Sequence, residues 1–303
     1  MRRAFRSRAV GAILALALVA TACGSGDGAV EGEPIKVGSF NFNESVIVAE
    51  IYAQGLESNG YTVERSLNLG NREVVKPALE SGEIDLVPEY VGSIAGFLGV
   101  EQSADSQATW ELAKAAFEEL GVTLLAFSPA QDKNAYVVTA ETAAEYDLTT
   151  VSDLEPVAGD LIFGGPPECP DRPLCLQGLE EVYGLQFAEF VPLDPAGPIT
   201  IAALEGGEID VALLFTTQGI IAANGWVSLD DDMGLNPAEN VVPAIRTDVV
   251  DAYGDDLVAL LESYSEALTT EDLTEMNRRA DIDQEDPVTL AEEWLTDNGF
   301  LEE

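Results

Sequence analysis

The sequence predicts an α/β protein of two similar lobes, each a mostly parallel sheet flanked by helices. Three observations carry that prediction. The stretch Ala78-Leu79-Glu80-Ser81-Gly82-Glu83-Ile84-Asp85 returns as Ala203-Leu204-Glu205-Gly206-Gly207-Glu208-Ile209-Asp210, differing only at Ser81/Gly206. In both copies a helix ends in Leu-Glu, a Gly suits the left-handed position beyond it, and a buried strand opens at Ile-Asp. Each copy then runs through apolar residues to an aromatic, Tyr90 or Phe215, at the strand end where open α/β sheets bind ligands. At 303 residues the chain also exceeds what a single core usually serves, and its 47% apolar content is that of a folded protein.

The elements follow in order. Ile35 to Ser39 is a short apolar strand. Asn43 suits the N-cap of a helix from Glu44 to about Glu57, whose Val46, Ile47, Ile51 and Leu56 recur at helical spacing. Asn59-Gly60 stops it, and Tyr61 to Leu67 alternates as a second strand. Asn71 to Glu80 is the helix of the first repeat, with Pro77 inside it as a source of bending. Ile84 to Pro88 is the third strand, so the order strand–helix–strand–helix–strand calls for parallel pairing. A helix from Ser106 to Leu120 and a strand from Val122 to Ala126 follow.

A second α/β pattern opens near Asn134, with strands at Tyr136 to Thr139 and Leu161 to Phe163 and a short helix ending at Leu154 between them. A Pro- and Cys-rich loop runs from Gly164 to Cys175. Helices at Leu176 to Tyr183 and Pro198 to Glu205 lead to the repeat strand Ile209 to Leu214. Val241 to Arg246 reads as a strand returning to the first lobe. Helices near 255–268, 271–279 and 287–296 close the chain, the last capped by Asp286, opened by Pro287 and stopped by Asn298-Gly299. The expected organisation is 34–132 and 241–303 for lobe I, 133–240 for an inserted lobe II, and hinge crossings near residues 132 and 240.

Residues 1–23 stand outside this fold. Arg2, Arg3, Arg6 and Arg8 precede an apolar run from Val10 to Ala20 that is too short to span a bilayer. Ala20-Thr21-Ala22-Cys23-Gly24 resembles a bacterial lipobox, which makes Cys23 the lipidated first residue of an exported, membrane-anchored protein. A plain secretory signal cut near Ala22 is the alternative. Residues 24–33, rich in Gly, Asp and Glu, read as a flexible tether.

Cys169 and Cys175 remain, and in an exported chain they read as a disulfide closing a small loop. A metal site is the weaker alternative, since two thiolates need further ligands and the chain has no histidine. That absence also excludes Ser-His-Asp and Cys-His catalysis. Beyond the signal, ten basic residues face 55 acidic ones, a net charge near −45. Such a chain repels nucleic acid and anionic lipid, and its self-repulsion is relieved by salt. We read this as an adaptation to saline surroundings.

The order and spacing of several motifs resemble the osmoprotectant receptors of ABC importers, the glycine betaine/choline/carnitine-binding proteins of quaternary-amine uptake. These motifs are Ile35-Lys36-Val37-Gly38-Ser39 with Asn43-Glu44, Leu67-Asn68-Leu69-Gly70, Gly82 to Tyr90, Thr150 to Leu154, Val182 to Leu185, Gly207 to Asp210 and Met276-Asn277. The resemblance covers the chain from about residue 34 to 300. The resemblance implies a two-lobed, periplasmic-binding-protein-like clamp of type II that closes on its ligand by a hinge. It also implies a cage of aromatic rings around a methylated ammonium, which cannot donate N–H bonds and is held by cation–π attraction.

On that resemblance the ligand-binding candidates are Tyr90, Ser93, Tyr136 with Asn134, Phe215, Phe40, Glu239 and Arg172. Phe215 stands where the family usually has Tyr, Glu239 where it often has another Tyr, and Phe40 where polar contacts are common. Arg172, inside the cysteine loop, is the candidate clamp for a ligand carboxylate. Three readings of Glu239 stay open: it pairs with Arg172, it points to solvent, or it faces the ligand and favours cations such as choline or N–H amines over betaine. The start of the helix at Asn43 is a further, weaker place for a carboxylate.

The expected function is capture of a quaternary ammonium or betaine-type osmolyte and delivery to a membrane permease, with no enzymatic step and no cofactor. Another small amine or zwitterion, such as an amino-acid derivative or an ergothioneine-like betaine, is the alternative cargo. A transferase on the same fold is the rival class, and it lacks a cofactor motif and a basic set for a phosphorylated substrate. The expected partners are the ligand, an ABC permease and the membrane through the lipid anchor. The protein is expected to be a monomer that binds no nucleic acid.

Overall fold

The computed structural model describes residues 30–302. The expected signal sequence, the expected lipidation site Cys23 and most of the expected tether lie outside them. Among the described residues are strands β1 (Ile35–Gly38), β2 (Val63–Ser66), β3 (Leu86–Tyr90), β4 (Val122–Leu124), β5 (Asn134–Val138), β6 (Ile162–Gly165), β7 (Glu189–Pro192), β8 (Val211–Phe215), β9 (Val227–Leu229) and β10 (Val241–Arg246). They form two five-stranded sheets, ordered β2-β1-β3-β10-β4 and β7-β6-β8-β5-β9, with helices against both. The chain is α/β and two-lobed, as the sequence predicts.

Each sheet is mixed: four strands run one way, as the expected mostly parallel sheet has them, and one runs against them. In the first lobe β1 runs parallel to β2 and β3, while β10 is antiparallel to β3 and β4. In the second, β6 is parallel to β7 and β8, and β5 is antiparallel to β8 and β9. The reason lies in the crossings. Strands of βαβ units end at the cleft, so β3 ends in Tyr90 and β8 in Phe215. A strand that arrives from the other lobe begins at the cleft, and Val241 and Asn134 accordingly sit opposite Tyr90 and Phe215. The two crossing segments pair with each other, through the Gln131–Asn240 bridge and an Asp132 N–H donating to the Glu239 carbonyl at 3.0 Å.

The repeat performs one task twice. Gly82 and Gly207 both adopt positive φ, 77° and 69°, to turn out of their helices. The Asp that follows bonds its neighbouring strand twice. The Asp85 carboxylate accepts from the Lys36 N–H at 3.0 Å and its own N–H donates to the Lys36 carbonyl; Asp210 does the same with Ile162, accepting at 2.7 Å. Each Asp thereby pins the register of the strand that carries an aromatic to the cleft.

The helix Asn43–Ser58 buries Ile47, Ile51 and Leu56 in the first core and lies against the closing helix Pro287–Asp297. Its N-cap position is Phe42, which corrects the assignment to Asn43. The Asn43 side chain instead donates to Asp281 at 2.7 Å. The second sheet is covered on both faces, by Leu154, Phe163 and Leu179 on one and Leu204, Ile209 and Leu214 on the other. The short helices Val91–Phe97, Ala140–Tyr146 and Thr247–Tyr253, with β7 and β9, have no counterpart in the sequence reading. Segments of three to seven residues are too brief to show a period.

Candidate ligand-binding site

The cleft between the sheets holds a cavity of about 150 Å³, lined from both lobes. A row of rings forms one wall. Phe42, just before the first helix, lies at the centre, its ring centroid 5.3 Å from Phe215, 6.0 Å from Tyr90 and 5.9 Å from Phe40, with Phe40 and Phe42 stacked at 7°. β3 delivers Tyr90 and β8 delivers Phe215, so rings from both lobes meet. At the far end of the row the Arg72 guanidinium lies over Phe40 at 5.1 Å, and Arg172 lies over Phe97 at 4.9 Å.

Behind the rings lies a buried polar knot. The Glu44 carboxylate accepts from the Tyr90 hydroxyl at 2.8 Å, the Thr217 hydroxyl at 2.6 Å and the Asn277 amide at 2.6 Å. Asp132, at the first crossing, lines the cavity and accepts from the Thr217 N–H at 3.1 Å and the Thr216 hydroxyl at 3.2 Å. Burial raises the pKa of both carboxyls, and Glu44 raises that of Asp132 further. Burial and the Glu44 charge together push the Tyr90 phenol well up, so Tyr90 stays a neutral donor.

Two arginines reach the cavity, and each has its own carboxylate. Arg72 bonds Glu89 through Nε at 3.1 Å and Nη2 at 2.8 Å. Burial opposes its charge, but Glu89 outweighs burial and holds the pKa above the usual arginine value. Arg172, from the second lobe, meets Glu73 of the first at 2.5 Å. Burial and the nearby Arg72 charge lower its pKa, though arginine remains charged. Cys169 and Cys175 are disulfide-bonded, with Cα atoms 5.2 Å apart, around the loop that carries Arg172.

Glu239 is 3% exposed and lines the cavity. One carboxylate oxygen accepts from the Ser93 N–H at 3.0 Å and the other from the Ser93 hydroxyl at 2.8 Å. Burial pushes its carboxyl up to about 7, against the pull of these bonds and of Arg72. Of the three open readings, pairing with Arg172 and pointing to solvent both fail. The Arg172 bond goes to Glu73, and the Glu239 side chain is enclosed.

The structure thus gathers Tyr90, Ser93, Phe215, Phe40, Arg172, Glu239 and Asn134 around one cavity. Asn134 turns its amide to the Leu174 carbonyl at 2.5 Å. Tyr136 is the exception, and its place in the cage is corrected. It is 1% exposed, packs 6.4 Å from Phe163 in the second core, and reaches the loop only by its hydroxyl at Leu174. At the start of the first helix, the weaker place for a carboxylate, the buried Glu44 stands in the first turn and spends its own carboxylate on Tyr90, Thr217 and Asn277.

The sequence model of the substrate-binding domain of ABC-type glycine betaine transport systems (OpuAC) matches residues 33–297. The chain belongs to this family. Its relatives include the glycine betaine-binding protein YehZ of Escherichia coli, 27% identical over 283 residues, covering 88% of this chain and 91% of that protein. The carnitine transport binding protein OpuCC of Listeria monocytogenes is 28% identical, covering 91% of each. Among solved structures, YehZ of Escherichia coli without ligand superposes with a TM-score of 0.63 at 26% identity, over 89% of this chain and all of that one. A glycine betaine/carnitine/choline ABC transporter structure shares the fold at TM-score 0.69 and 24% identity, over 88% and 99%.

The cavity residues of this family member that escaped the sequence reading include Phe42, Arg72, Phe97 and Asp132. Signals existed for three. Phe40-Asn41-Phe42 places two rings at a strand-to-helix junction. Arg72 is one of only ten basic residues beyond residue 23, and Asp132 falls on the expected first crossing. Phe97 lies on a short helix that carried no period.

Proposed function

We propose that the protein is an extracytoplasmic solute receptor of an ABC importer, which captures a quaternary ammonium or betaine-type osmolyte between its lobes and presents it to the permease. One observation carries this reading: Phe42 of the first lobe touches both Tyr90 and Phe215, so aromatic faces from the two lobes converge on one small cavity beside Asp132. Ring faces attract a methylated ammonium and shed water from its methyl groups, and a carboxyl nearby adds charge attraction. A solute that touches both lobes stabilises the arrangement in which they meet, which is how ligand binding shifts a hinged protein toward its closed state.

The paired crossings at 131–132 and 239–240 serve as the hinge in this reading, with 34–132 and 241–303 moving against 133–240. Lipid on Cys23 and the tether hold the receptor at the membrane as a monomer. Capture requires no bond to be made or broken. Isothermal titration of the mature protein against choline, glycine betaine, carnitine, proline betaine and ergothioneine tests the reading. At least one is expected to bind with a Kd in the micromolar range or tighter; heat-silent titrations with all five, matched by unchanged melting temperatures, overturn it.

A further inference from the structure

Counting charge around the cavity separates cargo classes that the rings alone treat alike. Both arginines that reach it are already neutralised, Arg72 by Glu89 and Arg172 by Glu73. Three carboxyl groups line the cavity directly, Asp132, Glu168 and Glu239, and none has an ion-pair partner within 4.0 Å among the described residues. Beyond Phe42 and Phe215 opens a wider cleft lined by Asp194, Glu205, Asp281 and Glu285, and among the described residues no lysine or arginine lines it. The field along this side of the cavity is negative, which draws cations and repels carboxylates.

Glu239 turns this bias into a contact. Its two oxygens take one bond each, both from Ser93, leaving acceptor capacity on a carboxylate that lines the cavity. A solute carboxylate placed here meets like charge and has to share Arg172 with Glu73, which already neutralises it. A hydroxyl or N–H donor placed here completes the carboxylate's bonds, and a positive charge offsets the cost of burying it.

We propose that Glu239 makes the cavity select a solute with net positive charge and a hydrogen-bond donor, a hydroxylated quaternary ammonium of the choline type, over a carboxylate-bearing betaine. This rests on the receptor reading above and sharpens it. The groups that face Glu239 are Ser93 on the helix after β3, Arg72 on the helix Arg72–Ser81, Glu89 and Tyr90 on β3, and, across the cavity, Asp132 and Arg172. With the Glu239 carboxyl near 7, the anionic form that attracts a cation fills as pH rises from 6 to 8, so cation binding strengthens over that range and releases a proton.

The test titrates choline and glycine betaine into the wild-type mature protein and into Glu239→Gln, at pH 6 and pH 8, in buffers of differing ionisation enthalpy. Wild type is expected to bind choline at least tenfold more tightly than glycine betaine at pH 8, with a smaller ratio at pH 6 and proton release on choline binding. Glu239→Gln is expected to lose tenfold or more in choline affinity, to lose the pH dependence, and to bind glycine betaine more tightly than the wild type does, because the like charge facing the solute carboxylate is gone. Tighter binding of glycine betaine than choline by the wild type overturns this proposal and leaves the receptor standing. So does a choline affinity indifferent to pH and to the substitution. Binding of neither solute, with the other methylated ammonium compounds also silent, overturns the receptor reading itself. The wild-type ratio and its pH dependence decide the matter even if the variant fails to fold.

Discussion

The Thr217 hydroxyl, carried by the second lobe, donates to the buried Glu44 carboxylate of the first at 2.6 Å. Glu44 opens the helix Asn43–Ser58, and Thr217 follows β8 by two residues, so the bond ties the start of one lobe's first helix to the cleft end of the other lobe's central strand. Tyr90 and Asn277 supply its remaining donors. A buried carboxylate satisfied by three elements is sensitive to the loss of any one donor, and only Thr217 among them belongs to the second lobe.

Thr217→Val is expected to destabilise the folded protein by about 1–3 kcal/mol, the usual cost of leaving a buried polar group short of a partner. Thr217→Ser, which keeps the hydroxyl, should recover most of it. Urea denaturation with both variants checks this. A valine variant as stable as wild type would show that the bond contributes nothing to holding the lobes together.

Phe42→Leu and Tyr136→Leu separate a cavity ring from a core ring. Phe42 touches three other rings of the row, and each cation–π contact contributes roughly 0.5–2 kcal/mol. Its replacement is expected to weaken ligand binding by about tenfold or more with little loss of stability. Tyr136→Leu is expected to lower the melting temperature while leaving affinity within about threefold, because its ring lies in the second core. Calorimetric titration beside thermal melts reads both, and the reverse pattern would return Tyr136 to the cage.

Glu239→Gln is also a stability experiment. The Glu239 carboxyl is raised from 4.5 to about 7 on folding, so its contribution is fully present below pH 4.5 and is lost as pH rises through 7. Glutamine mimics the protonated form at every pH. Without ligand, the variant should match wild type near pH 4.5 and exceed it at pH 8 by up to about 3 kcal/mol, from 1.36 kcal/mol per pKa unit. Denaturant melts at the two pH values measure the gap; a constant difference would remove Glu239 as its source.

Salt should stabilise the whole molecule. With ten basic residues against 55 acidic ones beyond residue 23, self-repulsion dominates at low ionic strength. Raising sodium chloride to about 1 M shortens the screening length to about 3 Å, and the melting temperature is expected to climb steadily. A protein most stable in dilute buffer would contradict the saline reading of its charge.

Cys23→Ser is expected to move the protein from the membrane fraction to the soluble exported fraction, and mass spectrometry of the wild type should find acyl chains on an N-terminal Cys23. A mature N-terminus at another residue would establish an ordinary secretory signal in place of the lipid anchor.

The sequence alone determined what local periodicity and order can carry. The helix–Gly–strand repeat announces two corresponding strands, their cleft ends hold Tyr90 and Phe215, and the returning strand at Val241 implies two crossings. These are short-range properties, set by turn chemistry and by the spacing of apolar residues, and they survive without knowledge of what lies opposite. Tertiary structure alone decided which aromatics face the cavity. The resemblance puts Tyr136 in the cage and passes over Phe42, yet the first is covered by Phe163 and the second stands between the lobes. It also decided the partners of charge. Arg172 finds Glu73 across 99 residues, and Glu239 finds Ser93 across 146. A side chain's charge state and its available bonds depend on burial and on neighbours brought together from distant parts of the chain, and those distances exist only once the two lobes meet.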